Sequence, residues 1–449
     1  MLFKLNEGGM MIKSTNVFTP GTIPNSTYNQ RAGENLESKL DFYLETGGQI
    51  VIISGPSKVG KTVLIHKVID SERLVSIEGR DVESLDDLTE QIFKKMRTLP
   101  AERAVSDAEI SESQTQTQFG GEIEVRAKFW RVFRSGAFIN GRFKQTGNNT
   151  TQTNNSYVDD PFARVVDYMV QNNYVLVIDD FHYIAAELQK SVIQRLKQPL
   201  LLGLKVVFAL IPSRVSEVVK KEIDMIGRTH TIKVPVWTDQ ELAYIPQTGF
   251  AELHVQLQSE IIDELVKNSF ANPLLMQQLC AYLSFRLGVR ESLENEVRVL
   301  YDDELMKSVY AEISENDDVV SYLENGRTSR GNGRAQYKVD MPGNLERNNI
   351  LDTYQLVMLG LEHLATQDEI SVTELYDKIL EFNPKRMGGK GGSVSPRMAD
   401  ISKTLVVISD LAKEKNANDP VVAYKEETKS VFMYDSFFSF NLKFRNIRS

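Results

Sequence analysis

Gly55-Pro56-Ser57-Lys58-Val59-Gly60-Lys61-Thr62 matches G-x-x-x-x-G-K-[ST] at every fixed position. The spacing has a chemical reason. The glycines let the backbone fold tightly and aim its N–H groups inward at phosphate oxygens. Lys61 brings a positive charge to the β and γ phosphates, and the Thr62 hydroxyl reaches a magnesium ion. The helix that opens there adds the positive end of its dipole. The surroundings agree: GQIVIISG before the motif reads as a buried strand running into glycine, and TVLIHKVID after Lys61 has a helical pattern. Residues Gly55 to Thr62 are therefore expected to hold the phosphates of a nucleoside triphosphate with Mg2+.

Working outward, Tyr174–Ile178 reads as a second buried strand and ends in Asp179-Asp180. A carboxylate at such a strand end can hold magnesium through water, and a second can orient or deprotonate the attacking water. Asp179 takes the first role and Asp180 the second; the plainer alternative is two solvated acids at a strand end. Lys205–Ile211 reads as a third buried strand, ending in Pro212-Ser213-Arg214. From a neighbouring strand Arg214 could reach the γ-phosphate, with an ordinary surface arginine as the alternative. The expected catalytic set is Asp180, Arg214 and Lys61, with Thr62 and Asp179 at the metal. Arg195 reads as a solvated helix residue or a finger to an adjacent subunit, and His182 as a packing residue beside the acids. Leu74–Ile77 reads as a further strand. Helices are expected over Leu85–Met96, over Glu187–Lys197, and upstream of the motif with apolar positions Leu36, Leu40, Phe42 and Tyr43. Apolar strands alternating with helices indicate an α/β fold with a parallel sheet covered on both faces.

The 449 residues exceed one compact core, since domains run to about 150 residues. A net charge of −9 argues against a uniform nucleic-acid coat while leaving room for a local basic patch. Cys280 is the one cysteine, so no internal disulfide forms, and it is read as a buried helix residue. The most apolar stretch, Leu200–Pro212, is interrupted by Lys205 and is shorter than the ~18 residues a membrane span needs. No apolar signal core stands at the start, and a cytoplasmic protein is expected. The domains are read as a leader and base-contacting segment over 1–48, a core over 49–237, a helical lid over 238–322, a linker over 323–348 and a C-terminal domain over 349–449. Inside the core, about 104–157 reads as an inserted β-hairpin with polar arms. It interleaves Arg126, Lys128, Arg131 and Arg134 with Phe129, Trp130 and Phe133. Such a surface could contact nucleic acid or protein, or simply pack its aromatics on the core.

GPSKVGKT, VLVIDDFHYI and FALIPSR, in this order, resemble the AAA+/STAND class of P-loop ATPases, near its origin-recognition-like and archaeal-type branch. Paired aspartates and a strand ending in Ser213-Arg214 are similar to STAND proteins. Phe270-Ala271-Asn272-Pro273-Leu274-Leu275 resembles the lid helix start of that class, which implies that Pro273 lies beside the nucleotide. Tyr28-Asn29-Gln30-Arg31 with Glu34 resembles the segment that packs near adenine and ribose, which implies the same for Arg31; Gln30 stands where glycine is usual. VFMYDSFFSFNLKFR resembles the terminal strand and helix of winged-helix domains in related ATPases, with Ser436 in place of the usual proline.

The resemblance implies ATP and Mg2+ as ligands, hydrolysis to ADP and phosphate, and a nucleotide-driven switch that assembles a homo-oligomer. Because this chain shows no effector motif, a separate effector protein is expected, in a setting such as prokaryotic antiviral defence. The alternative is a DNA-binding ATPase of the origin-loader or transposition-regulator kind. In the C-terminal domain Ser395-Pro396 reads as a helix start, followed by Met398, Ile401, Leu405 and Ile408 on one face. Residues 383–415 hold seven Lys/Arg against three Asp/Glu. This basic region could grip DNA phosphates, or the domain could serve a protein contact.

Overall fold

A computed structural model describes residues 11–96, 160–212, 214–215, 227–314, 323, 335–340, 350–387, 395–416 and 420–444. The insertion read at about 104–157 lies outside the described residues, as do Ser213 and Lys390. The chain forms two compact units, one of Gln30–Pro235 and one of Met1–Asn29 with Val236–Ser449. The stretch read as one leader, 1–48, is thus divided between them.

In the first unit α1 (Leu36–Thr46) precedes β1 (Ile50–Ser54), α2 (Lys61–Val68), β2 (Leu74–Glu78) and α3 (Leu85–Lys95). Then follow α4 (Pro161–Gln171), β3 (Val175–Asp179), α5 (Ala186–Leu201), β4 (Lys205–Leu210) and β5 (Thr229–Lys233). The five strands form one sheet in the order β2-β3-β4-β1-β5, and every neighbouring pair is parallel. β1 and β3 are buried along their whole length, which explains their unbroken apolar sequences: helices cover both faces of a parallel sheet. Under the sheet Phe181 stacks on Phe208 with ring centroids 4.0 Å apart. In α1 the buried face is Leu36, Leu40 and Leu44, while Phe42, expected among the apolar positions, is 62% exposed. A helix turns 100° per residue, so Phe42 falls far from the i, i+4, i+8 stripe. Neither α4 nor β5 was expected. β5 is an edge strand of sequence THTIK with Ile232 as its one fully buried side chain, so it carries no apolar run.

The second unit opens with residues 11–29, whose Val17 and Phe18 lie in a core made with lid helices. Those helices are α6 (Asp239–Glu252), α7 (Ser259–Asn268), α8 (Pro273–Arg286) and α9 (Asp303–Ile313), with short parallel strands β6 (Val255–Leu257) and β7 (Val297–Val299). Gly249 on α6 makes room for this N-terminal segment: a Cβ there would lie 2.3 Å from the Phe18 ring. Cys280 is fully buried in α8, as expected.

The chain continues through β8 (Gln336–Lys338), β9 (Ile350–Asp352), α10 (Thr353–His363), β10 (Glu369–Ser371), α11 (Val372–Glu381), β11 (Lys385–Arg386), α12 (Met398–Lys415), β12 (Val422–Lys425), β13 (Ser430–Met433) and α13 (Ser436–Phe444). Apart from the two-residue β11, which pairs with β8, the order from α10 is helix, strand, helix, helix, strand, strand, and with an antiparallel sheet β10-β13-β12 it is that of a winged helix. Two expectations need correction. Part of the stretch read as linker is strand β8, paired with β9 and β11. It is held because Tyr337 and Val339 are buried in the winged-helix core. The long helix starts at Met398 with Arg397 as N-cap, not at Ser395-Pro396. Its buried face is Ile401, Leu405 and Ile408, with Met398 left 40% exposed at the first turn. Among the described residues no helix is long and apolar enough to cross a membrane.

Candidate functional site

The loop Gly55–Gly60 leaves the C-terminal end of β1 and enters α2 at Lys61. The chain order makes this the diverging point of the sheet. From β1 the chain steps past β4 and β3 to β2, whereas from β4 it steps past β1 to β5. Right-handed crossovers running in opposite directions leave a crevice at the strand ends, where ligands of open α/β sheets bind.

The loop conformation depends on its residues. Lys58 and Gly60 adopt left-handed φ values of 63° and 98°, cheap for glycine and costly for Lys58. Gly55 is required by a close approach: a Cβ there would lie 2.7 Å from the Val234 carbonyl. The N-cap of α2 is Gly60, and among the described residues no side chain caps it, so the positive end of the helix dipole is available to an anion. The Lys61 ammonium donates to the carbonyls of Gly55 at 3.0 Å and Pro56 at 2.8 Å, bridging the loop it belongs to.

The Thr62 hydroxyl donates to Oδ2 of Asp179 at 2.7 Å. These residues stand on β3 and on the helix after β1, with β4 lying between the two strands; only the folded sheet brings them together. The other oxygen, Oδ1, accepts from the Asp180 backbone N–H at 3.0 Å. A threonine hydroxyl beside a carboxylate is a hard oxygen pair that fits Mg2+, which keeps several waters and takes phosphate oxygens besides one or two protein groups. The uncapped helix start, the left-handed turn and Lys61 fit a chain of phosphates equally well.

Three groups around the acids were missed from the sequence. β2 pairs with β3 so that Glu78 lies opposite Asp179. Gly79 packs so closely that an added Cβ would lie 2.4 Å from the Asp180 carbonyl oxygen. Arg80 forms an ion pair with Asp180 at 3.3 Å, with its guanidinium 5.2 Å from the Tyr183 ring centre. Partial burial, then the charges of Asp179 and Asp180, push the Glu78 carboxyl above its usual range. Burial opposes the charge on Arg80, but its hydrogen bond to Asp180 and the attraction of that acid outweigh this and hold it above the ordinary arginine value. The one signal in the sequence was EGRD directly after an apolar run. Nothing local links that stretch to the aspartates; the β2–β3 register does. Asp180 itself has a left-handed backbone, with φ of 51°, a strain of the kind concentrated at functional sites.

Arg214 follows β4, the strand between β1 and β3, and so lies at the same end of the sheet as the loop and the acids. Its backbone N–H donates to the Ile211 carbonyl at 3.1 Å. Arg31 is 6% exposed, left-handed, and donates from Nη1 to the Pro235 carbonyl at 2.9 Å. Its expected neighbourhood to a base therefore competes with a structural bond. Arg195 forms an ion pair with Asp160 of its own chain. Pro273 belongs to the other unit, where it opens α8 behind the Asn272 cap.

No family model and no curated protein matches this chain. Among solved structures it is similar to a Walker-type ATPase of Pyrococcus abyssi, at 13% identity over 91% of this chain and 95% of that one, with a TM-score of 0.47. It is also similar to the ORC2 protein of Aeropyrum pernix, solved as ADPNP–ADP complexes, at 12% identity over 98% and 99% of the two chains and a TM-score of 0.45. Cdc6p from Pyrobaculum aerophilum aligns at 11% identity over 98% of both chains, with a TM-score of 0.41. These are partial likenesses. The parallel order β2-β3-β4-β1-β5, with the glycine-rich loop after β1 and the aspartates after β3, identifies an α/β P-loop nucleotide-binding fold.

Proposed function

We propose that this chain binds ATP with Mg2+ at Gly55–Thr62 and hydrolyses it to ADP and phosphate, as a switch of the AAA+/STAND kind. The observation that carries the reading is the Thr62–Asp179 contact at 2.7 Å beside the P-loop. Backbone N–H groups of the loop and the first turn of α2 hold the phosphates. Lys61 exchanges the carbonyls of Gly55 and Pro56 for phosphate oxygens. Thr62 and Asp179 hold Mg2+, which when bound neutralises charge on the β and γ phosphates. Asp180 orients the attacking water and takes its proton, while Arg214 reads the γ-phosphate. Pro273 at the start of α8 lies beside the nucleotide, as the resemblance implies, whereas Arg31 is engaged first with the Pro235 carbonyl. The output is assembly of a homo-oligomer that regulates a separate effector, in a setting such as antiviral defence; the resemblance alone supports that last step.

Binding of a fluorescent ATP analogue, single-turnover hydrolysis and light scattering test the reading together. Lys61→Ala should abolish binding, and Asp180→Ala should bind but hydrolyse at least ~100-fold more slowly. Mass should rise with ATP and not with ADP. Unchanged ATP affinity in Lys61→Ala would overturn the reading.

A second reading, a DNA-binding ATPase, has one observation in its favour. Exposed Lys385 on β11 lies directly opposite exposed Lys338 on β8. Like charges facing each other across strands cost stability unless an anion lies between them. Arg386 adds to the same region, where it attracts Asp400. Salt-dependent duplex binding that disappears in Lys338→Ala/Lys385→Ala/Arg386→Ala supports this reading, and binding that ignores those changes removes it.

A further inference from the structure

The last described helix, α13, serves two cores at once. Phe438 and Leu442 belong to the winged-helix core. Phe440 and Phe444 belong to the lid core, with Leu265, Met306 and Tyr310. Each pair is spaced i, i+4, and the two pairs are about 200° apart around the helix, so opposite faces are buried in different domains. Phe444 stacks on Tyr310 of α9 with centroids 4.3 Å apart.

Polar contacts fix the same junction. The Lys443 ammonium donates to Oδ1 of Asn268 at 2.6 Å. Asn268, 1% exposed, donates in turn to the Tyr310 hydroxyl and to a Glu264 carboxylate oxygen, each at 2.9 Å. Ser436 donates from Oγ to the Phe270 carbonyl at 3.3 Å. That carbonyl lies in a strained turn: Phe270 and Ala271 are consecutive non-glycine residues with left-handed φ values of 51° and 52°. Such a pair persists only where neighbours over-determine it. The turn ends at Asn272, whose side chain caps α8 by accepting from Leu274 and Leu275.

From these contacts we infer that the lid and the winged-helix domain move as one body, locked by α13, and that the lock holds the turn before Pro273. Rotating one domain against the other would expose Phe440 and Phe444 and take the Lys443 donor from Oδ1 of buried Asn268, a penalty on two independent counts. Movement of the winged helix is thereby tied to the start of α8. Nucleotide-driven bending is then confined to the two places where the chain passes between the compact units, at 29/30 and 235/236. The regulatory consequence rests on the ATP-switch reading; the lock itself does not.

Spin-label distance measurements on the full chain test it. Labels at exposed Asp263→Cys on α7 and Lys403→Cys on α12 report lid against winged helix, with buried Cys280 left in place. The lid to winged-helix distribution should be narrow and shift by less than ~2 Å between apo, ADP and ATP states, as for a rigid body. If ATP binds and that distance shifts by more than ~5 Å, the lock is overturned. If ATP does not bind, the nucleotide reading fails, and a second measurement still judges the lock. In the apo protein, Phe444→Ala and Lys443→Met should broaden the distribution and speed amide exchange over residues 268–275 by at least ~10-fold, with α12 unchanged. Exchange that stays at the wild-type rate in both variants overturns the inference.

Discussion

Replacing Gly79 by alanine is the sharpest probe of the acid pair, because the clash is with backbone alone. The added Cβ would stand 2.4 Å from the Asp180 carbonyl oxygen, 2.9 Å from the Asp180 carbonyl carbon and 3.0 Å from the Asp179 carbonyl oxygen. Ordinary contact begins at 3.4 Å, so the 179–180 backbone must retreat by about 1 Å. All three of these nearest atoms are backbone, so no flexible side-chain end takes up the closest contacts. Gly79 has no left-handed φ, so the substitution introduces no strain of its own at residue 79. Overpacking of this size costs about 1–3 kcal/mol, which lowers Tm by roughly 2–12 °C in a unit of this size. The larger effect falls on chemistry. A 1 Å displacement of a catalytic group costs on the order of 100-fold in rate, whereas the phosphate loop belongs to a different strand and should keep its affinity. Single-turnover hydrolysis, a fluorescent-nucleotide titration and a thermal melt on the same preparation separate these outcomes. The expected pattern is near-normal ATP affinity, a moderate fall in Tm and a turnover loss near 100-fold. A folded Gly79→Ala protein that hydrolyses ATP within ~3-fold of wild type would refute the placement of Asp180 in the chemical step.

Arg80→Ala removes an exposed ion pair, so Tm should stay within about 1 °C. In the proposed mechanism the attacking water needs the Asp180 oxygen that Arg80 occupies, so turnover should rise about 3- to 10-fold; a fall in turnover would make Arg80 a supporting group instead. Arg31→Ala leaves the Pro235 carbonyl without its guanidinium donor and should cost about 1–3 kcal/mol in a denaturant melt, with ATP affinity changed less than ~3-fold. A tenfold or larger affinity loss at unchanged stability would return Arg31 to the base-side role. Burial pushes the Cys280 thiol well above its ordinary range, so a thiol reagent at mildly alkaline pH should label the folded chain at least ~100-fold more slowly than the unfolded one. Rapid labelling of the native protein would show that α8 opens.

Local sequence was sufficient for those features whose cause is local. Gly55–Thr62 declares its phosphate loop because glycine φ freedom, a cation and a hydroxyl at fixed spacing are properties of eight consecutive residues. β1, β3 and β4 announce themselves as unbroken apolar runs because both faces of a parallel sheet are covered. At the C-terminal end periodicity marked one helix face, with Ile401, Leu405 and Ile408, while the winged-helix reading came from the resemblance of VFMYDSFFSFNLKFR to that class. What depends on which strands are neighbours was not legible. The pairing of β2 with β3 brings Glu78, Gly79 and Arg80 to the aspartates, and the insertion of β4 between β1 and β3 sets the reach from Thr62 to Asp179. β5 and β8 lack an apolar run because each buries few side chains, so only their hydrogen-bonded partners mark them as strands. The double service of α13 is of the same kind: Phe438 and Phe440 are alike as residues, and only the tertiary structure decides which core receives each. The sequence by itself determined the eight residues, Gly55–Thr62, whose pattern fits phosphates. The fold decided which acids, which arginine and which glycine stand around them, because sheet order is settled by packing between segments distant in the chain.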